Sequence, residues 1–497
     1  MNKIKINLTK YISIFIFSCL IIKNIKCIII IPIETLSEEN YIFEKNNSHT
    51  SIINKYYFRE LYTIFEMGTP IQKVFLYIRT KNQDYEIIST TSLENKNKDF
   101  INLKYNLKEF YKSYNLFNEK KSLTYKTEGC REVLGMLEDE EEICRSNDKF
   151  LFYDDISTKQ KNLYNNLFFK LVIQTDNDIP GEIGLGLFDK SRDPENNFLK
   201  ILKSNDLINN YNWYFEFDSW NSTKGRLIIG SLPHEIHPDK FSEKNLLYTN
   251  VDINSFTLRN WKIEYDKIYI NKDVYLLNKK AEFAFDSDII IGTNELELKL
   301  NDYFFNNFIY YKKCFNDTIK LSYYFSGLKF FYCHINLKNT LYDLIPSVKL
   351  YSNDLNYTFE MDKDELFIIE GNYIYLKILF PIKHTQNYFI LGRSFTLKYP
   401  FVFNPDLNKI GFYMDYAKDI INEEKIKNDY GIIIKIIIII IFLILFIMFS
   451  LKLGMAYKNH RKKRTNEIID NYDYKDINKN NLVDEDSNNN IEMKINI

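Results

Sequence analysis

Glycine is scarce in this chain, with 15 in 497 residues, about half the usual share. That is unusual for a turn-rich protein, and chemistry built on glycine loops finds no place: there is no phosphate-binding glycine loop and no Gly-x-Ser-x-Gly turn. An excess of either charge is missing too. Lys plus Arg number 65 and Asp plus Glu 66, so no global field draws the molecule to nucleic acid, and no nucleic-acid partner is expected. Long helical periodicity is also scarce. The histidine pair in His234-Glu235-Ile236-His237 lacks the two-residue gap that puts two imidazoles on one helical face, and it follows Pro233 in a loop. No metal and no cofactor are expected.

What is abundant favours strands. Phe (39) and Tyr (38) are plentiful, Ile is frequent, and short apolar runs alternate with polar turns from residue 56 onwards. Runs at 62–67, 74–78, 167–173, 213–218, 225–230, 261–270, 348–351, 373–379 and 388–391 all read as strands, so the expected class is mainly β. The length allows two domains with ample core. One stretch organises the rest: Phe283-Ala284-Phe285-Asp286-Ser287-Asp288 followed by Ile289-Ile290-Ile291-Gly292. It places a carboxylate on a tight turn at the end of an apolar strand, where an acid is costly unless it is hydrogen-bonded or reactive. An earlier stretch, Val74-Phe75-Leu76-Tyr77-Ile78-Arg79-Thr80-Lys81, has the same shape without the acid.

The flanks indicate a route. Lys3 and Lys5 precede an apolar run at 11–22 that is too short to span a bilayer comfortably, so residues 1–27 read as a signal peptide, cleaved between Lys26 and Glu34. Residues 28–55 then form a leader, polar and exposed from residue 34 and carrying the sequon at Asn46. Two β-rich halves follow, at 56–215 and 216–415, then a stalk at 416–429. Residues 430–451 are almost unbroken Ile, Leu, Phe and Met, enough for one transmembrane helix in which Lys435 snorkels. Lys452, Lys458, Arg461, Lys462, Lys463 and Arg464 put the disordered tail, 452–497, in the cytoplasm. The expected topology is single-pass type I, in the secretory pathway or plasma membrane. Further sequons at Asn221, Asn316 and Asn356 agree with that route, as do four cysteines beyond the signal: Cys130, Cys144, Cys314 and Cys333. Proximity pairs Cys130 with Cys144 and Cys314 with Cys333, out of three possible pairings.

Together these features resemble the pepsin-like aspartic peptidase family over roughly residues 56–415. Met67-Gly68-Thr69-Pro70-Ile71-Gln72 looks like its Gly-Thr-Pro-x-Gln element, and Thr124-Tyr125-Lys126-Thr127 falls where its flap and flap tyrosine would be. The stretches 181–186 and 225–230 resemble the close of its first half and the opening of its second, and Cys314 with Cys333 matches a family disulfide. The most specific match is Tyr388-Phe389-Ile390-Leu391-Gly392-Arg393-Ser394-Phe395, continued through Tyr399, 401–404 and 409–412. The resemblance implies a bilobal fold with a cleft between two pseudo-symmetric lobes, each supplying one Asp-Thr/Ser-Gly loop. In such a dyad two carboxylates share a proton; one activates water and the other protonates the substrate carbonyl.

The departures matter more than the match. Arg79-Thr80-Lys81 stands in place of the first Asp-Thr-Gly, and a guanidinium cannot act as the missing acid or base. In the second loop Asp288 replaces the glycine and Ile289 the usual hydroxyl residue. Asp286 is thus expected to pair with Arg79 or Lys81 and hold the halves together, while Thr80 and Ser287 keep hydroxyls available to bond the loops. The implied function is a membrane-anchored, catalytically inactive homologue that binds a peptide or protein in its cleft, with acidic ligands favoured by Arg79 and Lys81. The alternative is an active endopeptidase that uses Asp286 and a second acid, for which Asp84 and Glu86 are the nearest candidates.

Overall fold

The structure is a computed structural model that describes residues 28–35, 49–57, 59–95, 116–134, 140–155, 161–174, 181–188, 197–218, 223–251, 260–270, 273–319, 327–339, 347–382 and 388–414, with single positions beyond. About half of these residues are in strands, because the apolar residues are spaced for them. In Lys262–Ile270, for example, Ile263, Tyr265, Ile268 and Ile270 are buried while Glu264 and Lys267 are exposed. The chain is mainly β, as its composition implies.

The first of two large sheets has thirteen strands. Six of them close into a barrel: Leu61–Met67, Gln72–Arg79, Glu182–Gly184, Tyr85–Ile88, Asn162–Gln174 and Glu140–Phe152, the last pairing back onto the first. Strand Lys126–Leu134 adds an outer edge to the barrel. On the other side the sheet continues through Ile29–Thr35, Lys224–Ile229, Trp213–Phe217, Phe401–Asn404, Lys409–Tyr413 and Leu246–Asn250. The second sheet has eleven strands and runs from Tyr357–Met361 through Lys262–Ile270, Asp273–Phe283 and Tyr388–Leu391 to Phe367–Glu370.

The two sheets repeat one pairing scheme. Gln72–Arg79 lies parallel to Glu182–Gly184, which runs antiparallel to Tyr85–Ile88, itself parallel to Asn162–Gln174. Asp273–Phe283 lies parallel to Tyr388–Leu391, which meets Ile290–Ile291 antiparallel, itself parallel to Ile378–Pro381. Arg79 and Phe283 thus end equivalent strands, and the turn after each is the stretch singled out from the sequence. An aromatic group ties the sheets together: Trp213 stacks on Phe403 at 4.4 Å, Trp261 meets both at 5.7 and 5.0 Å, and its indole Nε1 donates to the Leu185 carbonyl at 2.9 Å. Edge-on and stacked contacts of this kind add to the area they bury.

Both disulfides form with the pairing that proximity favours. Cys130 and Cys144 face each other across antiparallel strands, as do Cys314 and Cys333.

Two expectations need correction. The leader is not outside the core. Ile29–Thr35 is an inner strand whose Ile29, Ile31 and Ile33 face the main core while Ile28 and Ile30 join a second cluster with Tyr214, Ile228 and Val402. An apolar run covered on both faces has no polar alternation, which is why it reads like a tail of the signal. Residues 49–57 form a helix with Ile53 fully buried. The boundary expected at 215/216 falls inside the strand Trp213–Phe217, and 224–250 and 401–413 belong to the first sheet, not the second. The described residues from 28 to 414 belong to one compact unit. The signal at 1–27, the sequons Asn46 and Asn221, and, single positions aside, the span at 430–451 and the tail lie outside the described residues. Among the described residues no helix is long and apolar enough to cross a membrane.

Candidate functional site

Each loop is seated over a glycine of the same sheet. The first crosses Gly184, where a Cβ would strike the backbone of Gln83 and Asp84. The second crosses Gly392, where it would strike the carbonyls of Ser287 and Ile289. Only glycine admits so close a passage. Backbone bonds fix both turns: Leu185 N–H donates to the Arg79 carbonyl at 2.7 Å, and Arg393 N–H donates to the Ser287 carbonyl at 2.7 Å. The Ser394 hydroxyl also donates to the Asp288 carbonyl at 2.6 Å.

The side chains form two charge networks. At the first loop, Arg79 donates to Glu60 at 2.8 Å and lies 3.9 Å from Glu182, with its guanidinium over the Tyr77 ring at 4.7 Å. Burial pushes the Glu182 carboxyl up to about 7 against the pull of Arg79, and Glu86 and Asp84 add to the push. Glu182 also accepts from Asn82. Lys81 is 40% exposed and pairs at 2.9 Å with the buried Glu282, which Lys262 approaches to 3.7 Å. At the second loop, Asp288 is bonded twice by the buried Arg393, at 2.6 and 2.8 Å, and on its other oxygen by Arg59 at 2.7 Å. Burial of Arg393 and Asp288 is tolerable only because they are paired and hydrogen-bonded.

Asp286 is half-buried between these networks. It exerts its field on Arg79, Lys81 and Tyr57, and among the described residues it forms no ion pair and no hydrogen bond. The Tyr57 hydroxyl is pushed up to about 12, first by burial and then by the Asp286 charge. The expected direct pairing of Asp286 with Arg79 or Lys81 is therefore replaced by a looser arrangement, because both cations are bonded to other carboxylates. Of the candidate second acids, Glu86 pairs with Lys170, and Gly184 N–H donates to the backbone carbonyl of Asp84 at 2.8 Å.

Other expected site residues go elsewhere. Ser287 Oγ accepts from Ile289 N–H at 3.0 Å within its own loop, and among the described residues no hydrogen bond joins it to the buried Thr80. Tyr125 shares a hydrogen bond with Ser146 at 3.0 Å, across the hairpin it opens, and among the described residues no hydrogen bond joins it to Asp286. Asn316 and Asn356 are both exposed, on a strand and a turn, where a glycan has room. His234 bonds Tyr413 at 2.6 Å and His237 pairs with Glu216 at 3.1 Å.

Sequence reasoning missed the segment that joins the loops. The helix His49–Tyr57 runs into Arg59 and Glu60, and these neighbours of opposite charge reach in opposite directions, Arg59 to Asp288 of the second loop and Glu60 to Arg79 of the first. Asp288 N–H donates to the Tyr56 carbonyl at 3.0 Å. The adjacent Arg-Glu pair just before the first barrel strand was the only signal in the sequence. No protein-family model matches the chain, and no curated protein matches it.

Proposed function

We propose that this protein is a membrane-anchored, catalytically silent homologue of the pepsin-like aspartic peptidases, which binds a peptide or protein between two lobes built on the repeated pairing scheme. The observation that carries the proposal is what surrounds Asp286: the equivalent position of the first loop holds Arg79, with Lys81 beside it, where a proton-sharing dyad needs a second carboxylate. Each nearby cation is compensated by an acid of the chain, so ligand recognition falls to main-chain pairing and apolar contact more than to charge. Exposed Asn316 and Asn356 and the two disulfides suit a lumenal or extracellular location, with the span at 430–451 as the anchor.

The test uses the full chain in detergent, incubated with a diverse peptide library from pH 3 to 7 and read by mass spectrometry. The expected result is retention of a peptide subset with no cleavage. Cleavage that disappears in Asp286→Ala overturns the proposal in favour of an active endopeptidase with a second acid.

A further inference from the structure

Two turns of the first barrel stand side by side. One joins Leu61–Met67 to Gln72–Arg79, and the other runs from Asn118 into strand Lys126–Leu134. Four hydrogen bonds hold them together: Leu123 N–H donates to the Thr69 carbonyl at 2.7 Å, Thr69 N–H to Ser122 Oγ at 3.1 Å, Gln72 Nε2 to the Asn118 carbonyl at 2.9 Å, and Asn118 N–H to Gln72 Oε1 at 2.9 Å. The buried Asp148 adds two more, accepting from the Ser122 hydroxyl at 2.7 Å and the Thr124 hydroxyl at 2.5 Å. On this fixed tip Ile71 is 57% exposed, and Leu123, at 86%, is more open than any other large apolar side chain among the described residues.

The charge around the pair has one sign. Lys73, Lys120, Lys121 and Lys126 are all exposed. The acids nearby in the chain are engaged elsewhere. Glu119 accepts from the Ser89 and Thr91 hydroxyls at 2.5 Å each, and Glu128 pairs with Arg145 at 3.0 Å. Glu66, opposite Lys73 across the hairpin, pairs with Lys161 at 3.0 Å. In a chain with 65 Lys and Arg against 66 Asp and Glu, two adjoining apolar side chains rimmed by lysines are a local departure of the kind that marks a contact surface.

We propose that this tip docks on the surface of an anionic bilayer, with Ile71 and Leu123 entering the headgroup region and the lysines meeting the acidic lipid headgroups. Apolar side chains beside a basic rim are the pattern of interfacial attachment, and each lysine close to an anionic leaflet strengthens it. A bilayer suits the shape better than an acidic protein does. Both apolar side chains stand on turns, so a folded partner needs two pockets in register, whereas a fluid interface closes around them. Because the backbone is already fixed, docking orders no loop and loses little conformational entropy. The tip is separate from the Asp286 loop, and the inference stands apart from peptide binding.

The test reads tryptophan depth. The full chain with Leu123→Trp is reconstituted into vesicles of phosphatidylcholine and phosphatidylserine with brominated acyl chains, and its quenching is compared with that of the wild type, whose own tryptophans supply the background. An excess of about twofold or more is expected. It is expected to vanish in phosphatidylcholine alone, and when Lys73→Gln, Lys121→Gln and Lys126→Gln are added. Ile71→Trp gives a second reading if Leu123→Trp fails to fold. Leu298→Trp, at a position 61% exposed on the helix Asn294–Leu300, reports mere closeness to the vesicle. No excess in a folded tip variant, an equal excess in Leu298→Trp, or an equal excess without phosphatidylserine overturns the proposal. So does shielding of the tip tryptophan from iodide by polyglutamate without quenching by lipid, which assigns the tip to an acidic protein instead.

Discussion

At the scale of residues, the site is a set of charges that compensate one another, and Asp288 is the one on which most depends. Arg393, its partner, keeps 2% of its side chain exposed. Asp288→Asn leaves two guanidinium groups without their counter-charge, and removal of one partner from a buried pair costs about 3–5 kcal/mol. A loss of that size is expected in denaturant titration, with Arg59→Gln costing less because Arg59 keeps 22% exposure. Asp286 and Arg79 were legible in the sequence as the polar ends of two similar apolar runs. The role of Asp288 was not. It reads as a crowded substitute for glycine, and only the fold brings Arg59 and Arg393 to it from opposite ends of the chain.

Among elements, Ile29–Thr35 carries the clearest consequence. Ile29, Ile30, Ile31 and Ile33 are each at most 3% exposed, and burial of one such side chain is worth roughly 1.5–3 kcal/mol. Together they exceed much of the net stability of an ordinary domain. Processing that preserves the strand must fall at or before Ile28, so mass mapping of the purified chain is expected to find a mature N-terminus no later than that residue. A chain begun at Glu34 is expected to remain unfolded, and a cooperative melting transition in it would contradict the placement of the strand. Most strands were legible from alternation or apolar runs, because local pattern and burial agree there. This one lies close to the apolar run at 11–22, of the same composition. The helix over 49–57 was missed because a single buried side chain, Ile53, gives no period to read.

For the molecule as a whole, the repeated pairing scheme was legible only as two similar turns; that one sheet spans both halves of the chain was not, since long-range pairing leaves no mark in local sequence. The fold also has a pH response of its own. Glu182 is held up to about 7 from an ordinary 4.5, so it binds its proton more tightly folded than unfolded, and stability falls as pH climbs from 4.5 towards 7. The slope from one such group is at most about 1.4 kcal/mol per pH unit. Thermal melts between pH 5 and 7 are expected to show this decline, and Glu182→Gln to flatten it; an unchanged slope in that variant would place the proton elsewhere.

The position of the first strand bears on how the chain is made. Ile29 pairs with Ile229 on one side, while Glu34 pairs with Tyr62 on the other, and the sheet beyond waits for 401–413. A strand made early therefore has one edge unpaired until residues 224–229 have followed it. Such non-local closure is slow, and an apolar strand with an unpaired edge invites aggregation while it waits. A cell that produces this protein must shield Ile29–Thr35 until almost half of the chain has been synthesised, which makes early chaperone engagement a condition of its expression.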